Sequence, residues 1–140
     1  MTENFKIIGS FIKDMSSETP DAPTYISVRD KISKYKLNID INSKAVKNGI
    51  IEVNTIIKFS DQPEILKKAH FEITYTSIVK VDEKVSDKKE MEKIILCDVP
   101  NKIYPDLEKI FLNLLTDSGY PGIKLEKKVD FIELYKQRSN

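Results

Sequence analysis

The amino-acid sequence predicts an α+β domain, a four-stranded antiparallel sheet with two to three C-terminal helices packed on one face. Three observations predict it. The stretch His70–Val81 alternates through a full strand length, with Phe71, Ile73, Tyr75, Val79 and Val81 on one parity and His70, Glu72, Thr74, Thr76 and Lys80 on the other. Leu107, Ile110, Phe111, Leu114 and Leu115 recur in steps of three and one, the seam of an amphipathic helix. The clear strand patterns all precede the clear helix patterns, which segregates the two kinds of element.

In chain order, Phe5–Asp14 reads as a first strand with apolar residues on both faces, and Gly9 marks a bulge or a close backbone approach. Met15–Lys34 lacks sustained periodicity and carries Pro20 and Pro23, so it reads as a long connecting loop. Its apolar residues Tyr25, Ile26 and Val28 lie on a surface groove or tuck onto the core; pattern alone leaves both open. Tyr35–Asn42 alternates without a fault and forms a second strand. Asn48-Gly49 turns the chain into a third, Ile50–Phe59, which Ser60-Asp61-Gln62-Pro63 closes.

After Val81 the period changes to that of helices. Asp87 with Glu90 forms a capping box ahead of Met91, Ile94 and Ile95. Asp98-Val99-Pro100-Asn101 interrupts that helix, and Pro105 either starts the next one or kinks a continuous one. Gly119 takes the position after the last helical turn, and Pro121-Gly122 opens a loop. A second capping box, Asp130 with Glu133, starts a short helix with Phe131, Leu134 and Tyr135 on one face and Lys136 and Arg138 near its C-terminal end.

The 140 residues suit one domain, 1–140, without repeats or linkers. A charged fraction of 32% and an apolar fraction of 40% describe a globular protein, and a net charge of +1 forms no basic stripe for nucleic acid. No stretch reaches the roughly 18 apolar residues of a membrane span, and the N-terminus lacks an export signal, so a cytoplasmic protein without membrane insertion is expected. Cys97 and His70 are the only residues of their kinds, which leaves no zinc cluster and no Ser-His-Asp constellation with a signature around it. The four glycines are scattered singly, and the carboxylate pairs Glu90/Glu92 and Asp106/Glu108 sit among lysines. The expectation is a non-enzyme without cofactor or metal. The central helix carries more apolar surface than one sheet face needs, which points to an oligomer.

Three segments carry a family resemblance: Phe11–Pro23 with its Lys-Asp-x-Ser-x-Glu-x-Pro-x-Ala-Pro pattern, Cys97–Pro105, and Gly119-Tyr120-Pro121 through Val129–Tyr135. In this order and spacing they resemble SecB, the bacterial protein-export chaperone, over nearly the whole chain. The resemblance implies a homotetramer, a dimer of dimers with central helices between two eight-stranded sheets. It implies ATP-independent holding of unfolded secretory preproteins in apolar grooves and their delivery to the SecA motor. Asp14, Glu18 and Glu72 match acidic residues that contact SecA in the family, and His70 stands where the family can have an apolar contact residue. Phe71, Ile73 and Tyr75 match strand positions whose alteration disturbs assembly, and Leu107, Phe111 and Leu114 of the central helix join them as assembly candidates. Met15, Tyr25, Ile26, Leu134 and Tyr135 are the candidates for the client groove.

The chain departs from the family pattern in being near neutral and not acidic, in carrying Thr76-Ser77 where paired glycines are usual, and in its short C-terminal tail. Two alternatives stand beside the export reading: a SecB-like holdase for another client such as an antitoxin, and a structural or ligand-binding oligomer.

Overall fold

A computed structural model describes residues 4–60, 68–125 and 129–139. The sheet contains β1 (Phe5–Glu18), β2 (Lys36–Lys47), β3 (Ile50–Ser60) and β4 (His70–Val81). All pairings are antiparallel and the strand order is β1-β4-β3-β2. The strand with the clearest alternation therefore lies inside the sheet, while β1 and β2 form its edges. Asp61-Gln62-Pro63, the expected end of the third strand, lie outside the described residues.

The dry parity of β4 behaves as its alternation predicts, with Phe71, Ile73 and Val79 fully buried and Tyr75 nearly so. Each such side chain contributes about 1.5–3 kcal/mol on burial. Its other parity is drier than alternation alone suggests. Thr76 is sealed from solvent and its hydroxyl donates to Asn54 Oδ1 at 2.6 Å. Ser77, which breaks the apolar row, is buried against Ser10 of β1, their hydroxyls 3.2 Å apart. The Thr76-Ser77 pair thus fills its site with satisfied hydroxyls.

β1 differs from its sequence reading in length and in phase. It continues to Glu18, and its register against β4 slips twice, between Ile7 and Gly9 and between Ile12 and Asp14. The first slip brings Ile12, opposite Tyr75, onto the face of Phe5 and Ile7 and leaves Phe11 on the other, opposite Thr76; the second restores the starting parity and sets Met15 on that same face, opposite Ile73. A bulge inserts one residue and so reverses the parity of everything after it.

The expected loop Met15–Lys34 is corrected by the structure. After β1 the chain forms helix α1 (Ala22–Lys31) and a 3₁₀ turn, Ile32–Lys34. Asp21 caps the helix, its carboxylate accepting from the Thr24 amide at 2.8 Å, and Pro23 sits in the first turn where its missing N–H is harmless. Only Thr24 and Val28 of α1 are buried, so no apolar stripe announces it.

The C-terminal helices are α2 (Lys88–Lys93), a π-helical turn (Ile94–Asp98), α3 (Val99–Asp117) and α4 (Phe131–Ser139). The expected interruption at Asp98–Asn101 is a widened turn inside one continuous helical run, and Pro105 lies within α3. α3 ends as Gly119 requires: the Gly119 amide donates to Thr116 O at 3.1 Å and the Tyr120 amide to Leu115 O at 2.8 Å. Helices and sheet enclose an aromatic core in which Phe59 meets Phe111 edge-on at 5.1 Å and Phe71 meets Tyr120 at 5.6 Å.

Candidate functional site

An apolar cleft of about 200 Å3 runs between α4, the π-helical turn and edge strand β2. Ile39 and Ile41 of β2 form one wall, Leu134 and Tyr135 of α4 the other, Leu96 adds to the lining and Gln137 supplies its polar side chain. α4 is seated here by Phe131, which is fully buried with its ring 5.4 Å from that of Tyr104. Asp130 accepts from the Glu133 amide at 3.1 Å and starts the helix, which leaves Leu134 40% exposed over the cleft. β2 offers an open edge beside it, where the Ile41 amide donates to Asp40 Oδ1 at 3.0 Å.

Of the five groove candidates, the cleft gathers Leu134 and Tyr135. Met15 sits on β1, 44% exposed, in register with Ile73. Tyr25 is half-buried against the end of α3: its hydroxyl donates to Gly119 O at 2.9 Å and its ring lies 5.3 Å from that of Tyr120. Ile26 of α1 is 57% exposed. Ile39 and Ile41 were legible as the apolar parity of β2, but nothing local assigns them to a cleft. Leu96 had no readable signal, because the π-helical turn shifts the phase of its helix.

The opposite sheet face brings the acidic candidates together. Register places Asp14 opposite Thr74, Ser16 opposite Glu72 and Glu18 opposite His70, so Asp14, Glu18, His70 and Glu72 share one face of β1 and β4. Lys58 Nζ lies 3.5 Å from Glu72. Further along this face, Lys13 reaches Glu52 at 3.2 Å, and Asn54 donates to both Glu52 and Asn42 at 2.9 Å. The Asn54 amide, then the Lys13 ammonium, hold the Glu52 carboxyl below its ordinary value of 4.5.

The assembly candidates fall into two groups. Phe71, Ile73, Tyr75, Leu107 and Phe111 are buried in the protomer's own core, whereas Leu114 is only half-buried. Four large exposed apolar residues lie instead on β1, where Ile8, Phe11, Ile12 and Met15 are 42–55% exposed along a fourteen-residue edge strand, and Ile26, Val46, Ile132 and Leu134 are exposed elsewhere.

Burial, then the neighbouring Asp98, pushes the Cys97 thiol up, away from a reactive thiolate. Among the described residues no three His, Cys, Asp or Glu side chains converge for a metal, and no helix is long and apolar enough to cross a membrane.

A four-stranded antiparallel sheet followed by helices on one face is a fold this chain shares with a SecB-like chaperone. The Mycobacterium tuberculosis SecB-like chaperone, solved with a ChAD peptide from an antitoxin, superposes with a TM-score of 0.67 over 89% of this chain and 91% of its own, at 13% identity. The chain belongs to the SecB family: residues 1–140 match the family described as preprotein translocase subunit SecB. A protein of Pelagibacter ubique (strain HTCC1062), provisionally named a protein-export protein SecB, is 92% identical over the full length of both chains. The protein-export protein SecB of Rhodospirillum rubrum is 27% identical, covering 94% of this chain and 80% of its own.

Proposed function

We propose that the protein is an ATP-independent export chaperone of the cytoplasm that holds unfolded secretory preproteins and passes them to SecA. The observation that carries this reading is the open cleft of Ile39, Ile41, Leu96, Leu134 and Tyr135 beside β2, an edge strand among the described residues. An extended apolar segment is the ligand such a surface fits: its side chains enter the cleft while its backbone groups meet those of β2. A folded protein has no such segment to offer, so binding acts only on the unfolded chain and withdraws it from folding and aggregation by mass action.

The active form is a homotetramer, a dimer of dimers. The long edge strand β1, with Ile12 and Met15 exposed toward the helix side, suits pairing with a second copy. SecA docks on the other sheet face through Asp14, Glu18 and Glu72, with His70 between them; at a net charge of +1 this contact is local and salt-sensitive.

The test is aggregation of a chemically unfolded secretory precursor. An equimolar amount of tetramer should delay it without ATP, and the precursor–chaperone complex should be retained by SecA. No delay would end the chaperone reading. The antitoxin reading is favoured by the peptide bound to the structural neighbour, and preferential binding of an antitoxin segment over a precursor would support it.

A further inference from the structure

We propose that one end of the outer sheet face, centred on Lys6, Lys47 and Lys80, is a second docking surface that takes an acidic segment of a partner protein. It lies apart from the apolar cleft and from the acidic end of the same face.

Strand register builds this surface. Lys6 stands directly opposite Lys80, Lys80 opposite Ile50 and Ile50 opposite Lys47, so one row across all four strands carries three exposed lysines and a half-buried isoleucine. Opposed residues share a face, and Lys80 has the parity of Glu72, which puts the row on the outer face. At a strand spacing of about 4.8 Å the row is about 15 Å wide. Backbone bonds hold it together. The Val81 amide donates to Gly49 O at 2.8 Å, just after Lys47, and the Asp82 amide to Asn4 O at 2.8 Å, just before Lys6.

Like charges directly opposite each other destabilise a sheet. Lys6 and Lys80 are such a pair, and neither they nor Lys47 forms an ion pair among the described residues. Glu52, one row further in, is engaged by Lys13 and Asn54. The acidic end is too far away to neutralise the lysines: eight residues of strand, about 27 Å, separate Lys80 from Glu72. That is well beyond the screening length of about 8 Å at physiological ionic strength. The net charge of +1 thus averages two separate fields on one face.

A shallow depression of about 380 Å3 adjoins the row at the strand ends, lined by Phe5, Lys6, Lys80, Val81, Asp82 and Glu83. Its chemistry chooses the occupant. A carboxylate fits between the paired ammonium groups, and Phe5, Val81 and Ile50 offer apolar contact beside it, which suits a polypeptide rich in Asp or Glu. A continuous anionic membrane surface would also meet Asp82 and Glu83, which repel it; a single segment lies along the row and clears them.

The experiment follows a short fluorescein-labelled peptide of alternating Glu and Ala by anisotropy on the intact assembled protein, beside the same peptide with Gln for Glu. At low salt the Glu peptide should bind at least about tenfold more tightly, the scale that a few exposed charge pairs reach together, and added salt should release it. Lys6→Gln combined with Lys80→Gln should erase the difference, and Lys47→Gln should reduce it. Lys36→Gln removes the same charge from the far end of β2 and should change it by less than about twofold. Circular dichroism and solution mass verify each variant, and because the opposed lysines repel, the double substitution should not lower the thermal midpoint. The proposal is overturned if the Glu and Gln peptides bind alike, if the double variant keeps the preference, or if Lys36→Gln abolishes it equally. Binding to phosphatidylglycerol vesicles without binding to the Glu peptide also overturns it and makes this surface a membrane contact. Holding of unfolded precursors is read separately by the aggregation assay and does not depend on these outcomes.

Discussion

A methyl group on Gly119 would lie 2.8 Å from Cε1 of Tyr25, closer than carbon atoms approach in folded proteins. The two residues come from opposite ends of the chain, and the Tyr25 hydroxyl donates back to the Gly119 carbonyl. Thr19 and Tyr120 add a second bond between hydroxyls at 2.9 Å, and Ser17 and Ser118 a third at 2.7 Å. Because α1 buries so little of itself, these contacts are what fasten it and the end of β1 to the terminus of α3.

Gly119→Ala should therefore destabilise the protein by about 2–3 kcal/mol, since it combines strain at a φ of +101° with displacement of Tyr25. Tyr25→Phe, which loses only the hydrogen bond, should lose about 1 kcal/mol. In a Tyr25→Ala background the Gly119→Ala effect should shrink but not vanish, because the backbone strain remains. Urea denaturation of the four proteins reads the cycle; strict additivity would show that the close approach carries no energy.

Glu52 predicts an acid-side dependence. Its folded pKa is depressed by Asn54 and Lys13, so its contribution is complete above its ordinary value of 4.5 and is lost as pH falls through the folded value. Thermal midpoints of wild type and Glu52→Gln should differ at pH 6–7 and converge as the solution is acidified below pH 4.5. A constant gap across that range would mean that the carboxylate charge is irrelevant.

Tyr104 predicts an alkaline one. Burial, and then the Glu108 carboxylate one turn on, push its hydroxyl from 10 up to about 12. The unfolded chain then ionises first, so the contribution of this group is whole below pH 10 and falls away between pH 10 and 12. Absorbance titration should find a late-ionising tyrosine that Tyr104→Phe removes. The Tyr104 hydroxyl meets no hydrogen-bond partner in good geometry, so the same substitution should change stability at neutral pH by less than about 1 kcal/mol.

The two faces of β4 predict separable defects. Glu72→Lys reverses a charge on the outer face and places it beside Lys58, so it should weaken SecA binding while leaving the solution mass unchanged. Tyr75→Asp puts a charge where the side chain is 9% exposed, between Ile12 and Thr55 in register, and should damage fold and assembly together. Light scattering combined with SecA capture distinguishes them. An equal assembly defect in both would show that the faces do not divide the work.

The local features were legible because their causes lie within a few residues of each other. The alternation of β4, the caps at Asp87 and Asp130 and the reversal at Gly119 all appear where periodicity and turn chemistry put them. Helix α1 was missed although its start signal, Asp21 followed by Pro23, was present, because its weak apolar face resembles that of a loop. The acidic candidates could be named from a family pattern, but only register shows that Asp14, Glu18, His70 and Glu72 share a face.

By itself, the sequence determined the alternation of the two interior strands, with the apolar parity of each, and the apolar seam of α3; it did not show α1, and β1 and β2 run further than their patterns indicate. Tertiary structure decided the strand order, the reversed phase of β1 after its bulge, and the meeting of Leu134 and Tyr135 with Ile39, Ile41 and Leu96. The reason is physical. Periodicity and capping are set by bonds between near neighbours, whereas a cleft between β2 and α4 joins residues about ninety positions apart, and its shape follows from how the core between them packs.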